Sequence, residues 1–189
     1  MVRALKSVFV CTLTVSGVTI NTSEILPSRR VFLNGGSHLI LHGPGSLDAP
    51  PPTLPTVGTN LTDLTLKKKK KLTIRELGGC MGPIWPSYFK DCTAVIFMVD
   101  SANVAQVSAS CMQLLSVLSA QPLRAASILL LFNKRDMPCT MSLLEMKSLF
   151  RLDDIVASAP QQITTLELSA RSGLGLQEVL TWLESAAVK

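Results

Sequence analysis

The chain has 189 residues, of which 47% are hydrophobic and 16% are charged, with a formal net charge of +5. This length and this hydrophobic content predict one globular domain with a substantial core and some additional tail. The run Lys67–Lys71 carries five of the 18 basic side chains, and the other 13 balance the 13 acidic ones. Because the basic charge is local and the chain has one tyrosine, its composition argues against a nucleic-acid-binding surface.

The five cysteines are odd in number and form no C-x-x-C pair, so they fit neither a disulfide framework nor a zinc site. We therefore expect a reducing, cytoplasmic location. The apolar stretch Val8–Val18 follows Arg3 and Lys6, which is the outline of a signal peptide, but threonines and a glycine interrupt it. Secretion is kept as an alternative. Val2 in place of glycine predicts no myristoylation.

The first part of the chain, residues 1–48, is rich in Thr, Ser and Gly and shows no helical periodicity. Val8–Leu13 and His38–Leu41 favour strands, yet the pattern assigns no definite structure to this part. The proline-rich stretch Ala49–Pro55 predicts an extended connector. We therefore divide the chain into an atypical N-terminal segment, residues 1–48, for which disorder is one interpretation, and a domain of residues 49–189.

Beyond the connector, apolar patterns alternate between strand and helix periods. Leu61–Leu66 and Leu72–Leu77 alternate apolar and polar residues around the lysine run, as an antiparallel hairpin does. Three more apolar runs predict buried strands, at Ala94–Val99, Ser127–Phe132 and Ile163–Leu168. Helical spacing predicts one helix at Ser110–Leu118, between the first two of these strands, and another from Leu176 onward, after the third. This order predicts an α/β fold with a mostly parallel sheet, flanking helices and a ligand site at the carboxyl ends of the strands.

The pattern N-K-x-D stands directly after the predicted strand Ser127–Phe132, as Asn133-Lys134-Arg135-Asp136. The Asp136 carboxylate is suited to accept hydrogen bonds from N1 and N2 of guanine, which adenine does not offer. We expect Asn133 to tie neighbouring loops together and to meet the base edge. The stem of Lys134 is expected to lie along the ring with its charge outward. These residues predict a guanine site.

A second polar loop, Ser169-Ala170-Arg171, follows the next predicted strand. Its backbone N–H groups are candidates to meet the guanine O6. The segment Pro55-Thr56-Val57-Gly58-Thr59-Asn60 resembles the first switch of the Arf-like family of small GTPases, and Arg75-Glu76-Leu77-Gly78-Gly79-Cys80 resembles the second. Together with the two guanine loops, these motifs identify the region from about Pro52 to Ala187 as resembling this family.

The resemblance implies a small-GTPase fold of the P-loop NTPase type that binds GTP or GDP with Mg²⁺. Thr56 and Glu76 would hold the metal, and Thr56 and the N–H of Gly79 would sense the γ-phosphate. Effectors and regulators would bind through the switch segments Thr56–Asn60 and Glu76–Trp85. The lysine run Lys67–Lys71 is most simply a solvated hairpin tip, with weak contact to an anionic membrane surface as the alternative.

The sequence departs from the family where phosphate would be bound. It contains no G-x-x-x-x-G-K-[ST] motif, and no lysine lies between Lys6 and Lys67. We therefore expect the first strand, P-loop and first helix to be missing or replaced. Cys80 stands at the position of the catalytic glutamine, so we assign no catalytic residue, expect slow or absent hydrolysis, and leave open whether the chain is an enzyme. The alternative function is a nucleotide-free interaction module that keeps the fold.

Overall fold

The computed structural model describes residues 6–13, 30–33, 39–42, 59–66, 70–170 and 172–186. In this part of the chain the strands and helices are β1 Lys6–Leu13, β2 Arg30–Leu33, β3 Leu39–His42, β4 Thr59–Leu66, β5 Lys70–Leu77, β6 Cys92–Asp100, α1 Val107–Ser119, β7 Ser127–Asn133, α2 Leu143–Phe150, α3 Leu152–Ser158, β8 Gln162–Glu167 and α4 Leu176–Ala186. Six of the strands form one sheet in the order β4-β5-β1-β6-β7-β8, while β2 and β3 pair antiparallel by themselves.

The sheet is parallel except at one edge, where β4 pairs antiparallel with β5. This pair is the hairpin predicted around the lysine run. The four pairings from β5 through β1, β6 and β7 to β8 are parallel, so the carboxyl ends of these five strands meet at one edge of the sheet. The predicted α/β fold with a mostly parallel sheet and flanking helices is confirmed.

The central position of the sheet is filled by β1, which lies in the N-terminal segment. Val8 is in register with Ile74 of β5 on one side and with Ala94 of β6 on the other. The first strand of the fold is thus replaced rather than missing. Residues 14–29, which directly follow β1 and where a P-loop and first helix would begin, lie outside the described residues. The boundary at residue 48 stays a prediction.

Alternating side chains of the central strands build a core on each face of the sheet. In β6, Ala94, Ile96 and Met98 lie on one face with α4, whereas Val95 and Phe97 lie on the other with α1 and α2. A strand buried on both faces has no polar side, which explains why β6 and β7 are almost continuously apolar in sequence.

A 3₁₀ segment, Gly79–Asp91, connects β5 to β6. Pro83 and Pro86 lack the N–H that an α-helix would require, so the tighter turn replaces it. Trp85 is buried and its Nε1 donates a hydrogen bond to the Gly78 carbonyl at 3.1 Å, which attaches the segment to the end of β5. None of the helices in the described ranges combines the length and hydropathy needed to cross a bilayer.

Candidate functional site

Asn133 is the residue that joins the two predicted guanine loops. It ends β7 and is buried. Its Oδ1 accepts hydrogen bonds from the backbone N–H of Lys134 at 2.7 Å and of Ala170 at 3.0 Å, while its Nδ2 lies 3.5 Å from the Met98 sulfur. The loop after β7 and the loop after β8 are therefore held together by one amide oxygen. The expected contact of Asn133 with the base edge stays a prediction.

The Asp136 side chain is exposed and has a fixed orientation. Its Oδ1 accepts a 2.6 Å hydrogen bond from the hydroxyl of Ser169, which is fully buried. The same hydroxyl accepts the N–H of Ser172 at 3.0 Å, so its proton is directed to the carboxylate. Within the described residues, Oδ2 of Asp136 has no protein partner. The carboxylate is thus held in place by one hydrogen bond and remains exposed, with acceptor sites left for a ligand that has paired N–H donors.

The backbone N–H of Ala170, which was expected to be available to a guanine O6, has a partner within the protein. Its N–H is donated to Asn133 Oδ1, and the N–H of Ser169 is donated to the Leu174 carbonyl at 3.0 Å. A guanine O6 would therefore have to share the Ala170 hydrogen with Asn133. The sequence does not reveal this partner, because the hydrogen bond joins residues on separate loops.

The turn that carries Ser169 depends on a glycine. Gly175 has φ +77°, and a Cβ there would lie 2.1 Å from the Glu167 carbonyl oxygen. Any other residue would therefore strain the backbone and collide with the end of β8. Gly173 also has positive φ, and its N–H donates to the Ser169 carbonyl at 2.9 Å. In the sequence both glycines stand between the predicted strand Ile163–Leu168 and the last predicted helix.

Lys134 has a charge partner that its motif does not reveal. Its Nζ lies 2.7 Å from Oδ2 of Asp100, the last residue of β6. The lysine side chain is 20% exposed and that of the aspartate 6%. The expectation that the ammonium would point outward is therefore wrong in this structure. Asp100 was missed because its proximity follows from the register of β6 and β7, which pairs it with Asn133.

Arg135, the variable residue of N-K-x-D, also proves to be structural. Its Nε forms an ion pair with Glu167 at 2.8 Å, its Nη1 donates to the Met141 carbonyl, and its backbone N–H donates to the Leu168 carbonyl at 3.1 Å. Arg135 thereby attaches the loop after β7 to the end of β8 and to the segment before α2. No sequence signal would have found it, since any residue fits this position of the motif.

Of the residues predicted for phosphate and metal, the structure describes Glu76 and Gly79. Thr56 lies outside the described residues. Gly79 is half-buried at the start of the 3₁₀ segment. Glu76 is buried in β5, beside Val10 of β1 and Asn60 of β4. In the described part of the chain, no three His, Cys, Asp or Glu side chains form a group that could hold a metal ion.

The described residues therefore fit the base of a nucleotide better than its phosphates. An exposed carboxylate with a free oxygen suits guanine N–H groups, and the joined loops fix its position. For the phosphates and Mg²⁺, the described residues offer Glu76 and the backbone of Gly79. The P-loop lysine and hydroxyl of the family are missing from the sequence itself.

Known proteins are similar to this chain in sequence and in fold. The sequence model of the ADP-ribosylation factor family matches residues 45–187. ADP-ribosylation factor-like protein 16 of Homo sapiens is 59% identical over 143 residues, which are 76% of this chain and 72% of that protein. The amino-acid sequences of the two switch segments indicate the same relative. ADP-ribosylation factor-like protein 1 of Drosophila melanogaster is 32% identical over 135 residues, 70% of this chain and 73% of that protein.

The fold has a counterpart among solved structures. The Arl6 small GTPase from Trypanosoma brucei, determined with the bound nucleotide analogue GppNp, superimposes with a TM-score of 0.70 over 98% of both chains, at 18% identity. This identity is low enough that the likeness supports the fold alone. The family is carried by the sequence matches, which confirm the resemblance inferred from the motifs. The chain belongs to the ADP-ribosylation factor family of small GTPases.

Proposed function

We propose that this chain binds guanine nucleotides, with the loops after β7 and β8 selecting the base and with weak or absent intrinsic hydrolysis. The observation that carries the proposal is the Asp136 carboxylate, exposed at the end of the sheet and oriented by the buried hydroxyl of Ser169. Guanine presents N1–H and N2–H side by side, and a carboxylate accepts both. Adenine presents no such pair, so it would leave the carboxylate without donors.

The neighbouring residues would complete the base site. Asn133 would meet the base edge while holding both loops, and the stem of Lys134 would line the ring. Ser169 and Ala170 would close the site from the β8 side. Thr56 and Glu76 would hold Mg²⁺, and the N–H of Gly79 would meet the γ-phosphate that GTP supplies when bound. Cys80 at the glutamine position supports slow hydrolysis, because a thiol orients water less well than an amide.

The biological output we propose is a cytoplasmic switch that recruits effector and regulator proteins. The segment Glu76–Trp85 supports this role, because part of it is accessible: Pro83 and Ile84 are exposed while Trp85 anchors the segment in the core. Thr56–Asn60 would form the second half of this surface. At most, Lys67–Lys71 would add weak contact with an anionic membrane surface.

A second candidate function is a nucleotide-free interaction module. It is favoured by a specific observation: the 189 residues contain no P-loop motif, so no lysine of that type neutralises a β-phosphate. The internal hydrogen bond of the Ala170 N–H to Asn133 also leaves the base loops closed on themselves. The two candidates differ in whether nucleotide is held, which is measurable.

Titration of the purified chain with a fluorescent GTP analogue and Mg²⁺ tests the proposal. We expect saturable binding that GTP competes for better than ATP. In Asp136→Asn, GTP affinity should fall by roughly ten- to more than a hundredfold, or about 1.5 to 3 kcal/mol, because a charge-assisted pair is lost. The same variant should prefer xanthosine triphosphate, whose C2 carbonyl accepts from the new amide.

The gain for xanthosine triphosphate is the internal control, since an unfolded variant would lose every nucleotide. Absence of saturable binding at tens of micromolar would favour the interaction module instead. Equal competition by ATP and GTP would show that Asp136 does not read the base, and the proposed selectivity would be abandoned.

A further inference from the structure

Lys134 is held in an uncommon backbone conformation. Its φ is +68°, one of two positive values among the non-glycine residues that the structure describes. A left-handed conformation is unfavourable for a residue with a Cβ, and such strain persists where surrounding contacts determine it. Here the N–H of Lys134 donates to its neighbour Asn133, and its carbonyl accepts from the N–H of Met137 at 3.0 Å. The direction in which the lysine stem leaves the backbone is therefore fixed.

The far end of the same side chain is also fixed. Oδ2 of Asp100 pairs with the ammonium at 2.7 Å, and Oδ1 of Asp100 accepts the N–H of Ala102 at 2.9 Å. Asp100 is itself positioned by the sheet, since it is in register with Asn133 and the next N–H, of Ser101, donates to the Asn133 carbonyl. The lysine stem thus spans from the end of β7 to the end of β6.

This span runs along the carboxyl edge of the sheet, from the base loops toward β1. The side chain of Asp100 is only 6% exposed, so water solvates its charge poorly. The Lys134 ammonium is the cation that offsets this charge. A partly buried ion pair of this kind is more persistent than an exposed one, because each partner would remain desolvated without the other. Because both of its ends are fixed, the Lys134 stem is held in one position along this edge.

We infer that Asp100 is a positioning residue of the base site, which holds the Lys134 ammonium so that the lysine stem forms one wall of the base cleft. The inference rests on the proposed guanine nucleotide binding and adds to it a residue outside the four motifs. Asp100 acts through Lys134 and touches no base atom. Base selectivity stays with Asp136, so the two aspartates have separable effects.

The test is a double-variant cycle with GDP as the probe. Asp100→Asn keeps an oxygen for the Ala102 N–H but removes the charge that holds Lys134. We expect GDP affinity to fall roughly fivefold to thirtyfold. The ratio of GDP to inosine diphosphate affinity should not change, since it reports the 2-amino group that Asp136 is proposed to meet. In a Lys134→Met background, Asp100→Asn should have little further effect.

Two controls separate positioning from general stability. Asp154→Asn removes an exposed ion pair with Arg151 on α3 and should leave GDP affinity unchanged. Asp100→Glu keeps the charge and should retain most of the affinity that Asp100→Asn loses. If Asp100→Asn does not fold, Lys134→Met carries the test, because it leaves the Ala102 contact in place and should weaken GDP by a similar factor.

The outcomes distinguish the inference from the proposal beneath it. Unchanged GDP affinity in Asp100→Asn or, where that variant does not fold, in Lys134→Met would overturn the inference while the wild-type chain still binds. Losses that add in the double variant would do the same, since they would mean that Asp100 acts through Ala102 alone. Failure of the wild-type chain to bind GDP would overturn the proposed function, and the role of Asp100 in a base site with it.

Discussion

The two halves of the proposed nucleotide site are built to different degrees. At the ends of β7 and β8, Asn133 and Arg135 each tie one loop to the other. At the ends of β1 and β5, the described residues provide Glu76 and Gly79, and the sequence lacks the phosphate loop. The difference teaches that the arrangement of the proposed base half is local to two adjacent strand ends. These loops are joined although the sequence contains no phosphate-loop motif.

The largest effect should come from rebuilding the phosphate half. Replacing Met1–Ala49 with the first strand, P-loop and helix of a family member should strengthen both GTP and ATP binding by roughly a hundredfold or more, because backbone N–H groups and a lysine would meet the phosphates. Calorimetric titration with each nucleotide measures this. The GTP-to-ATP ratio should stay nearly constant, since phosphate contacts do not read the base.

A rebuilt chain that binds ATP as tightly as GTP would contradict the independence of the two halves, and it would also remove the assignment of the N-K-x-D residues. The chain with the same graft and Asp136→Asn is the matched control. It should keep the gain from the phosphates and lose the preference for guanine.

A smaller effect should follow from disturbing the turn that carries Ser169. Gly175→Ala places a Cβ against the Glu167 carbonyl and forces a non-glycine residue into φ +77°. We expect the free energy of unfolding to fall by about 1 to 3 kcal/mol. Chemical denaturation measures the change. Gly82→Ala is the comparison, since its added methyl would meet a flexible glutamine side chain at 3.3 Å. Equal losses in both variants would mean that the turn is not specially constrained.

The smallest effect concerns helix α2, which follows the loop after β7. Ser142 caps α2 by accepting the Glu145 N–H, and the Glu145 carboxylate accepts from the Ser142 N–H and hydroxyl, which lowers the pKa of Glu145. Ser142→Ala should reduce stability by about 0.5 to 2 kcal/mol at neutral pH. Thermal unfolding at several pH values measures the difference.

The sign of the pH dependence follows from the lowered pKa. The folded state holds the Glu145 carboxylate ionised, so this stabilisation is fully present above the ordinary glutamate pKa of about 4.3 and is lost as pH falls through the folded-state pKa. The difference between wild type and Ser142→Ala should therefore shrink in acid. A difference that grows in acid would contradict the capping arrangement.

The sequence predicted those parts of the molecule whose signal is local. Buried strands such as β6 and β7 are continuous apolar runs, and the N-K-x-D loop stands directly after one of them. Helices α2 and α3 were not predicted, although the Ser142 and Glu145 spacing is a capping signal that would have found the first.

The ion pairs around the proposed base loops depend on how neighbouring strands are paired. A single sequence does not reveal this register. Asp100 meets Lys134 and Glu167 meets Arg135 because parallel strands place them side by side, and neither carboxylate belongs to a motif. Of the strand Lys6–Leu13, the sequence predicts a strand tendency only for Val8–Leu13, since its apolar run is short and is interrupted by Thr12. Its central place follows from the gap between β5 and β6 that the rest of the fold leaves.

That central strand has a consequence for how the chain folds. Val8 pairs with Ile74 and with Ala94, so the innermost ladder of the sheet closes between residues far apart in sequence. Contacts of this separation carry a large loop-closure cost and form slowly. A partly folded chain in which β1 is not yet paired would expose the backbone groups at the edges of β5 and β6. Such edges are templates for pairing with other chains, so we expect this partly folded state to be prone to aggregation.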